Sequence, residues 1–152
     1  MRIYIDTSVI GGCLDEEFKQ WSRRLMDEFH SGNKRMVIST LTIGELEQAP
    51  ETVRRVLDDF TDGEIEVLEL EPAVLALAEC YLREGAVGLG CLADAQHIAA
   101  ATVSRVDVVV SWNFKHIVNF RRIQLYNGVN LKEGYGLIDI RTPREVLDEK
   151  EL

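Results

Sequence analysis

Four polar residues stand where predicted strands end or where the following helices begin. Asp6 directly ends the first apolar run, and Asn113 follows a run of three valines, with Ser111 and Trp112 in between. Glu45 lies in the first turn of a predicted helix, and Asp94 lies near the start of another helix after a glycine-containing loop. Ligands of open α/β sheets bind outside the carboxyl ends of the strands, so this pattern predicts that the four side chains meet at one sheet edge.

The three acids of this set favour a divalent cation. Carboxylates that converge from distant parts of a chain repel one another unless a cation neutralises them. Hard oxygen ligands select Mg²⁺ or Mn²⁺. We therefore predict Asp6, Glu45 and Asp94 as metal ligands, with Asn113 as a neutral polar support. No Ser-His or Cys-His nucleophile arrangement is apparent, which favours direct attack by a water molecule.

Each of these residues also has an ordinary structural interpretation. Asp6 could cap a helix, and Asn113 could make a turn after its strand. Thr42 and Glu45 have the spacing of a capping box. Ser8 could orient Asp6 or a bound water, although a hydroxyl at this place more often caps the backbone.

A zinc site is the other metal site that the residue types suggest. His97 follows Asp94 by about one helical turn, and His116 lies further along the chain. The cysteines are far apart, without the C-x-x-C or C-x-x-H spacing of zinc ligands: Cys13, Cys80 and Cys91. We therefore predict small buried thiols in a reducing compartment, and structural histidines rather than zinc ligands.

The elements that must position these residues alternate between strand and helix. Strands are predicted at 2–5, 36–39, 64–70, 108–110 and 137–140, from apolar and β-branched runs. Turn residues at 7–12 precede a helix that starts at 15–17 and ends near 30. Further helices are predicted at 42–49, 53–60 and 72–82, near 92, and after Thr142. The polar stretch 121–135 predicts no clear element.

This order predicts a three-layer α/β/α fold with a central, mainly parallel sheet. The run Val108 to Val110, flanked by helices, is typical of a strand covered on both faces. The segment 73–82 is apolar nearly all round, which predicts burial on more than one face. No repeat or Pro-rich linker divides the chain, so we predict one domain over residues 1–152.

Composition limits the function further. The 152 residues are 46% hydrophobic, which is enough for one core without disulfides. The net charge of −9 argues against a protein that coats many phosphates with Lys and Arg. Asp6 interrupts the first apolar run before it reaches the length of a signal core or a membrane span. We therefore expect a cytoplasmic protein that does not cross a membrane.

Four segments in this order resemble the motifs of the PIN-domain family. They are IYIDTS at 3–8, STLTIGEL at 39–46, LADAQHIA at 92–99 and SWNFKH at 111–116. The order and separation of the segments agree with the family. The resemblance runs from residue 1 to about residue 119, and the tail matches more loosely.

The resemblance implies a VapC-like, toxin-type ribonuclease in which Asp6, Glu45 and Asp94 bind Mg²⁺ or Mn²⁺. It implies hydrolysis of RNA to 5′-phosphate and 3′-hydroxyl products, an antitoxin protein as partner, and a homodimer. Many relatives carry Asp at the fourth motif, whereas this chain has Asn113. That neutral residue puts tight binding of a second metal ion in doubt.

Other functions stay open on the sequence alone. A catalytically silent PIN-like module that binds a protein or an RNA is the main alternative, and Asn113 favours it. An aspartyl-phosphate phosphotransferase or a receiver domain would need a second acid close to the first strand. The phosphotransferase would place it two residues after Asp6, where this chain has Ser8.

Overall fold

The structure is a computed structural model that describes residues 1–147. The strands are β1 (Arg2–Ile5), β2 (Arg35–Ser39), β3 (Ile65–Leu68), β4 (Val108–Val110) and β5 (Ile140–Arg141). The helices are α1 (Thr7–Gly12), α2 (Lys19–Ser31), α3 (Thr40–Glu47), α4 (Glu51–Arg54), α5 (Pro72–Arg83), α6 (Leu92–Val103), α7 (Phe120–Lys132) and α8 (Pro143–Val146). Short 3₁₀ turns follow α4, at Arg55–Asp59 and Asp62–Glu64.

The five strands form one parallel sheet in the order β3-β2-β1-β4-β5. Tyr4 of the central strand is in register with Val37 on one side and Val109 on the other. The predicted α/β/α class with a mainly parallel sheet is therefore confirmed. Because all strands run the same way, the carboxyl ends of β2, β1 and β4 adjoin at one edge of the sheet.

Alternation along the strands creates two cores, one on each face of the sheet. The Tyr4 side chain packs on the face that α5, α6 and α7 cover. Ile3 and Ile5 point to the opposite face, where α1 and α2 pack. The central strand is buried on both faces, which explains why its sequence is an almost continuous apolar run.

The predicted turn at 7–12 is a helix, and this prediction was wrong. Val9 and Ile10 are fully buried in α1, so packing against the sheet stabilises helical backbone through a segment rich in turn residues. Gly12 lies so close to Trp112 that an added Cβ would sit 2.7 Å from its Nε1. Since α1 takes up this segment, the next helix begins at Lys19 rather than at 15–17.

The stretch 121–135, for which the sequence predicted no element, is mostly the helix α7. The Asn119 side chain caps it by accepting a hydrogen bond from the Arg122 backbone N–H at 3.2 Å. Tyr126 and Asn130 are fully buried on its inner face, and Tyr81 O–H donates to Asn130 Oδ1. The helix thus buries polar side chains through hydrogen bonds, which is why its apolar periodicity is weak.

Other boundaries differ by smaller amounts. Strand β3 is shorter than predicted, and β5 begins at Ile140, where the predicted strand at 137–140 ends. Helix α5 buries one face only and leaves Leu75 41% exposed, so the predicted burial on several faces was wrong.

Within residues 1–147, no helix has the length and apolar character needed to cross a membrane. Residues 148–152 of the predicted domain lie outside the described residues.

Candidate metal centre

Asp6, Glu45, Asp94 and Asn113 come from four separate elements at the carboxyl end of the sheet. Asp6 directly follows β1, and Glu45 lies in α3 after β2. Asp94 lies in the first turn of α6, and Asn113 lies in the loop after β4. Thr7, the residue after Asp6, donates a hydrogen bond to Glu45. Asn113 donates to Asp94, so these two side chains are in direct contact.

Asp6 is held by two serine hydroxyls. Ser8 Oγ donates to Asp6 Oδ1 at 2.6 Å, and Ser111 Oγ donates to Asp6 Oδ2 at 2.7 Å. The side chain is buried, with 5% of the residue exposed. Burial raises the pKa of Asp6 above its ordinary value, although the charge of His97 and the two hydroxyls oppose the shift. The carboxylate therefore has a fixed orientation in a poorly solvated position.

Glu45 points into the site instead of capping its helix. The alternative interpretation, a capping box of Thr42 and Glu45, does not hold, because Ser39 and Thr42 form the box, with the Ser39 N–H donating to Thr42 Oγ1 at 3.3 Å. Glu45 Oε1 accepts from Thr7 Oγ1 at 2.8 Å and lies 2.6 Å from His97 Nε2. Burial acts to raise the pKa of Glu45, but His97 and Thr7 outweigh it and hold the pKa below its ordinary value.

His97 connects Glu45 to the core of the sheet. Its ring is buried, with 2% of the residue exposed, and its Nδ1 lies 2.6 Å from the Tyr4 hydroxyl. That hydroxyl lies 2.8 Å from Ser39 Oγ. Both ring nitrogens of His97 are satisfied when Tyr4 O–H donates to Nδ1 and Nε2–H donates to Glu45. His97 is thus a structural histidine, as predicted, that also positions a candidate ligand.

The pKa of Asp94 responds to burial and to the charges of the other two acids. Burial raises its pKa above the ordinary value, and the charges of Asp6 and Glu45 raise it further. The charges of His116 and His97 act in the opposite direction. The negative charges of Asp6 and Glu45 thus disfavour the ionised form of Asp94, and a nearby cation would oppose that effect.

Asn113 contacts Asp94 through its amide nitrogen only. Asn113 Nδ2 donates to Asp94 Oδ1 at 3.3 Å. Its Oδ1 accepts from the backbone N–H groups of Lys115 at 3.2 Å and His116 at 2.9 Å, which fixes the loop after β4. The amide oxygen is therefore engaged in the turn, and the group that faces the acids is a hydrogen-bond donor.

The donor set fits a hard divalent cation. Asp6, Glu45 and Asp94 offer carboxylate oxygens, and within residues 1–147 no Lys or Arg forms an ion pair with them. Among those residues, however, the ligand atoms that all lie within 4.8 Å of one another belong to Cys91, Asp94 and His116. A cation shared by the three acids would therefore need side-chain rotation or a bridging water, which Mg²⁺ commonly keeps.

The proximity of Cys91 and His116, whose ligand atoms lie within 4.8 Å of each other, corrects a sequence prediction. No cysteine and histidine were expected to meet, because the spacing along the chain showed no chelating pair. The fold instead brings the start of α6 beside the loop after β4. Cys13 and Cys80 are buried as predicted, whereas Cys91 is only half-buried.

Sequence reasoning missed Ser111 and Thr7, which hold two of the candidate ligands. Ser111 directly follows β4, as Asp6 follows β1, and the two strands are neighbours. The equivalent position at adjacent strand ends is a signal that could have identified it. Thr7 lies in the first turn of α1, and its side chain reaches α3 because α1 starts directly at the strand end.

A depression of about 670 Å³ opens beside Glu45. Its wall is formed by residues of α1, α3 and the segment after β3: Thr7, Thr40, Leu41, Gly44, Glu45, Gln48 and Leu70. The exposed surface of this wall is mainly apolar.

Solved structures share this fold at low sequence identity. No family model and no curated protein matches the chain. A chain in the structure of VapBC2 from Rickettsia felis, bound to a DNA fragment from the VapBC2 promoter, has a TM-score of 0.60 and 14% identity. The similarity covers 93% of this chain and 98% of that one.

A chain of FitAcB from Neisseria gonorrhoeae has a TM-score of 0.62 and 14% identity over 95% of this chain and 99% of that one. A chain of FitAB bound to an IR36 DNA fragment has a TM-score of 0.60 and 14% identity, over 97% and 99%. The matches extend over nearly the whole of each chain. The protein therefore shares the fold of these VapBC and FitAB chains, in agreement with the fold that its four sequence motifs imply.

Proposed function

We propose that the protein is a Mg²⁺- or Mn²⁺-dependent endoribonuclease. The observation that carries this proposal is the set of three electrostatically coupled acids at the carboxyl end of the central strands. Such an arrangement costs free energy unless a cation binds, because like charges in a poorly solvated site disfavour each other. Perturbed carboxylates of this kind are typical of functional sites.

Asp6, Glu45 and Asp94 are the proposed metal ligands. Two serine hydroxyls orient Asp6, and His97 with Thr7 orients Glu45, so both carboxylates are fixed before a ligand arrives. A bound divalent ion would polarise the phosphate and make a bound water a better nucleophile. In this reaction a water oxygen attaches to phosphorus, the P–O3′ bond breaks, and the 3′ oxygen takes a proton.

RNA is the proposed substrate. The net charge of −9 disfavours binding through many phosphate contacts, which supports a short segment of RNA chain rather than a long duplex as the substrate. The depression beside Glu45 has room for an unstacked base, since its volume is about 670 Å³. Lys115 is exposed in the loop after β4, directly after Phe114. Its ammonium group is the proposed partner of a substrate phosphate.

A panel of RNA and single-stranded DNA substrates, incubated with Mn²⁺, Mg²⁺ or EDTA, tests the proposal. We expect internal cleavage of RNA with either metal and none with EDTA. The cleaved ends should carry a 5′-phosphate, which a phosphate-dependent exonuclease detects. Absence of cleavage under every condition, in a protein that binds no metal, would contradict the proposal.

An antitoxin protein is the proposed partner, in a dimeric assembly. The structural neighbours are VapBC and FitAB complexes, which supports a protein partner that keeps the nuclease inactive. Several large apolar side chains are exposed and offer surface for association: Leu89, Phe120, Leu131 and Leu137. Static light scattering on the purified chain tests the dimer.

A catalytically silent module is the second candidate function. It is favoured by Asn113, whose oxygen is engaged by two backbone N–H groups and cannot serve freely as a ligand. Metal-dependent turnover separates the two functions. A silent module would bind RNA or protein with the same affinity in Mn²⁺ and in EDTA.

A further inference from the structure

A sulfur, an oxygen and a nitrogen ligand come together beside the three acids. Cys91 Sγ, a carboxylate oxygen of Asp94 and an imidazole nitrogen of His116 all lie within 4.8 Å of one another. Zinc bond lengths of about 2.0–2.3 Å place the ligand atoms of a tetrahedral site roughly 3.3–3.8 Å apart. Small side-chain rotations would therefore bring these atoms to zinc-binding distance.

The start of α6 fixes two of the three ligands relative to each other. Cys91 is the N-cap residue of α6, and Asp94 lies in its first turn, three residues later. Residues at this spacing lie on the same side of a helix. The Cys91 backbone N–H donates to the Gly88 carbonyl at 2.9 Å, and the Cys91 carbonyl accepts from Ala95 at 3.1 Å. The pair is thus held by backbone hydrogen bonds.

His116 supplies an independent sign of a missing partner. Among residues 1–147, its Nδ1 is the buried side-chain nitrogen or oxygen that has no hydrogen-bond partner. Buried polar atoms are nearly always paired, and a bound ion is one partner that this imidazole nitrogen could take. The backbone around it is well held, because its N–H donates to Asn113 at 2.9 Å and its carbonyl accepts from Tyr126 at 3.0 Å.

The ligand types select the metal. Thiolate and imidazole prefer Zn²⁺ to Mg²⁺ or Mn²⁺, which favour oxygen. On binding, the Cys91 thiol would release its proton to solvent and coordinate as thiolate. The three protein ligands would leave a fourth position for water.

We infer that Cys91, Asp94 and His116 form a zinc site that shares Asp94 with the three acids. Occupancy of this site withdraws Asp94 from the Mg²⁺ or Mn²⁺ ligand set and thereby inhibits cleavage. The inhibition rests on the proposed ribonuclease function, whereas zinc binding does not.

Metal binding to the reduced full-length chain tests the site directly. Equilibrium dialysis should show stoichiometric Zn²⁺ on the wild type and on Cys80→Ser, the matched control for a thiol elsewhere in the fold. With Co²⁺ in place of Zn²⁺, both should show the thiolate-to-cobalt charge-transfer band in the near ultraviolet. Cys91→Ser should lack that band. Loss of a residue that only orients a metal ligand lowers metal affinity roughly 10- to 100-fold. Because Cys91 would be a ligand itself, the Zn²⁺ affinity of Cys91→Ser should fall by more than that.

A cobalt band that persists in Cys91→Ser would overturn the site, as would zinc affinity unchanged in both Cys91→Ser and His116→Gln. Circular dichroism and melting curves establish that each variant is folded. If His116→Gln does not fold, Cys91→Ser decides alone, because it replaces a half-buried thiol with a hydroxyl of similar shape.

Cleavage assays test the inhibition separately. At fixed Mn²⁺, Zn²⁺ should inhibit the wild type and Cys80→Ser at concentrations that leave Cys91→Ser active. Equal inhibition of all three would refute the inhibitory role, even where dialysis confirms the site. If no substrate is cleaved, the proposed function fails, and dialysis and the cobalt spectrum still decide whether the zinc site exists.

Discussion

The two edges of the sheet hold acids in opposite electrostatic settings. At the amino edge the Arg2 guanidinium lies 2.5 Å from Glu66, and the Arg2 backbone N–H donates to Asp107 at 2.6 Å. The hydrogen bond from Arg2 holds the pKa of Glu66 below its ordinary value. At the carboxyl edge, burial raises the pKa of Asp6 and of Asp94.

The difference separates acids that arginine compensates from acids that we propose as metal ligands. The amino edge compensates its carboxylates with arginine, so they need nothing from solution. The carboxyl edge holds its acids with hydroxyls, an amide and histidine, none of which is a permanent cation. Acids without a permanent counter-charge lower the stability of the metal-free protein, and this cost supports the proposal that a cation binds there.

Removing one acid from each edge should give the largest contrast. We expect Asp94→Asn to reduce Mn²⁺-dependent cleavage by at least about 100-fold, as for other losses of transition-state charge stabilisation. Asp107→Asn, the matched control, should cleave at the wild-type rate, since an amide oxygen can still accept from the Arg2 N–H. Initial rates on one RNA substrate measure both.

The Asp94→Asn variant also tests the effect of the acids on stability. In EDTA, Asp94→Asn should melt at or above the wild-type temperature, because it removes repulsion with Asp6 and Glu45. Wild-type cleavage by a folded Asp94→Asn protein would remove Asp94 from the site.

Stabilisation of the protein by metal should depend on the acids at the carboxyl edge and not on those at the amino edge. At free Mn²⁺ about 100 times its Kd, the wild type should gain roughly 2.7 kcal/mol by mass action. The gain should shrink in Asp6→Asn and stay complete in Glu66→Gln. Thermal unfolding followed by circular dichroism, with and without Mn²⁺, gives the increments. An equal loss in both variants would mean that the ion does not bind at the carboxyl edge.

His97 should affect metal affinity without being a ligand. His97→Gln breaks the linkage between Tyr4 and Glu45, so the Mn²⁺ concentration for half-maximal cleavage should rise roughly 10- to 100-fold. The rate at saturating Mn²⁺ should recover to near the wild-type value, which a merely unfolded variant would not do. A lower rate at every Mn²⁺ concentration, with the midpoint unchanged, would contradict this positioning role.

Much of the fold followed from apolar patterning. The strands β1, β2 and β4 and the parallel three-layer class were predicted because buried strands between helices leave continuous apolar runs. Helix α7 was missed because Asn130 is buried through hydrogen bonds, which a hydrophobic pattern does not register. Helix α1 was missed because tertiary packing of Val9 and Ile10 overrides turn-forming residues nearby.

The site was predictable where chemistry coincides with position along the chain. Asp6 and Asn113 follow strands, so their edge could be read from the sequence. Contacts such as those of His97 with Glu45 or Cys91 with His116 depend on how helices pack over the sheet. No spacing rule reports such contacts, because the partners lie far apart in sequence and meet only in the folded chain.

Asn113 should produce the smallest effect of the series. Its neutral amide leaves any second cation weakly held, so wild-type cleavage should keep rising with Mn²⁺ into the millimolar range, where Mg²⁺ and Mn²⁺ sites with few charged ligands saturate. In Asn113→Asp, cleavage should saturate at a lower Mn²⁺ concentration than in the wild type. One carboxylate oxygen would still accept from Lys115 and His116, as the amide oxygen does. The other oxygen would face Asp94 in place of the amide donor.

The sign of the Asn113→Asp effect should therefore reverse with metal. In EDTA the added charge repels Asp94 and lowers the melting temperature, whereas in Mn²⁺ the same charge becomes a ligand and raises it. Asn113→Ala loses the turn contacts and should be destabilised in both conditions, with far less effect on cleavage than Asp94→Asn. Cleavage rate against Mn²⁺ concentration for the three proteins is the measurement. Superimposable curves for the wild type and Asn113→Asp would show that position 113 only shapes the loop after β4.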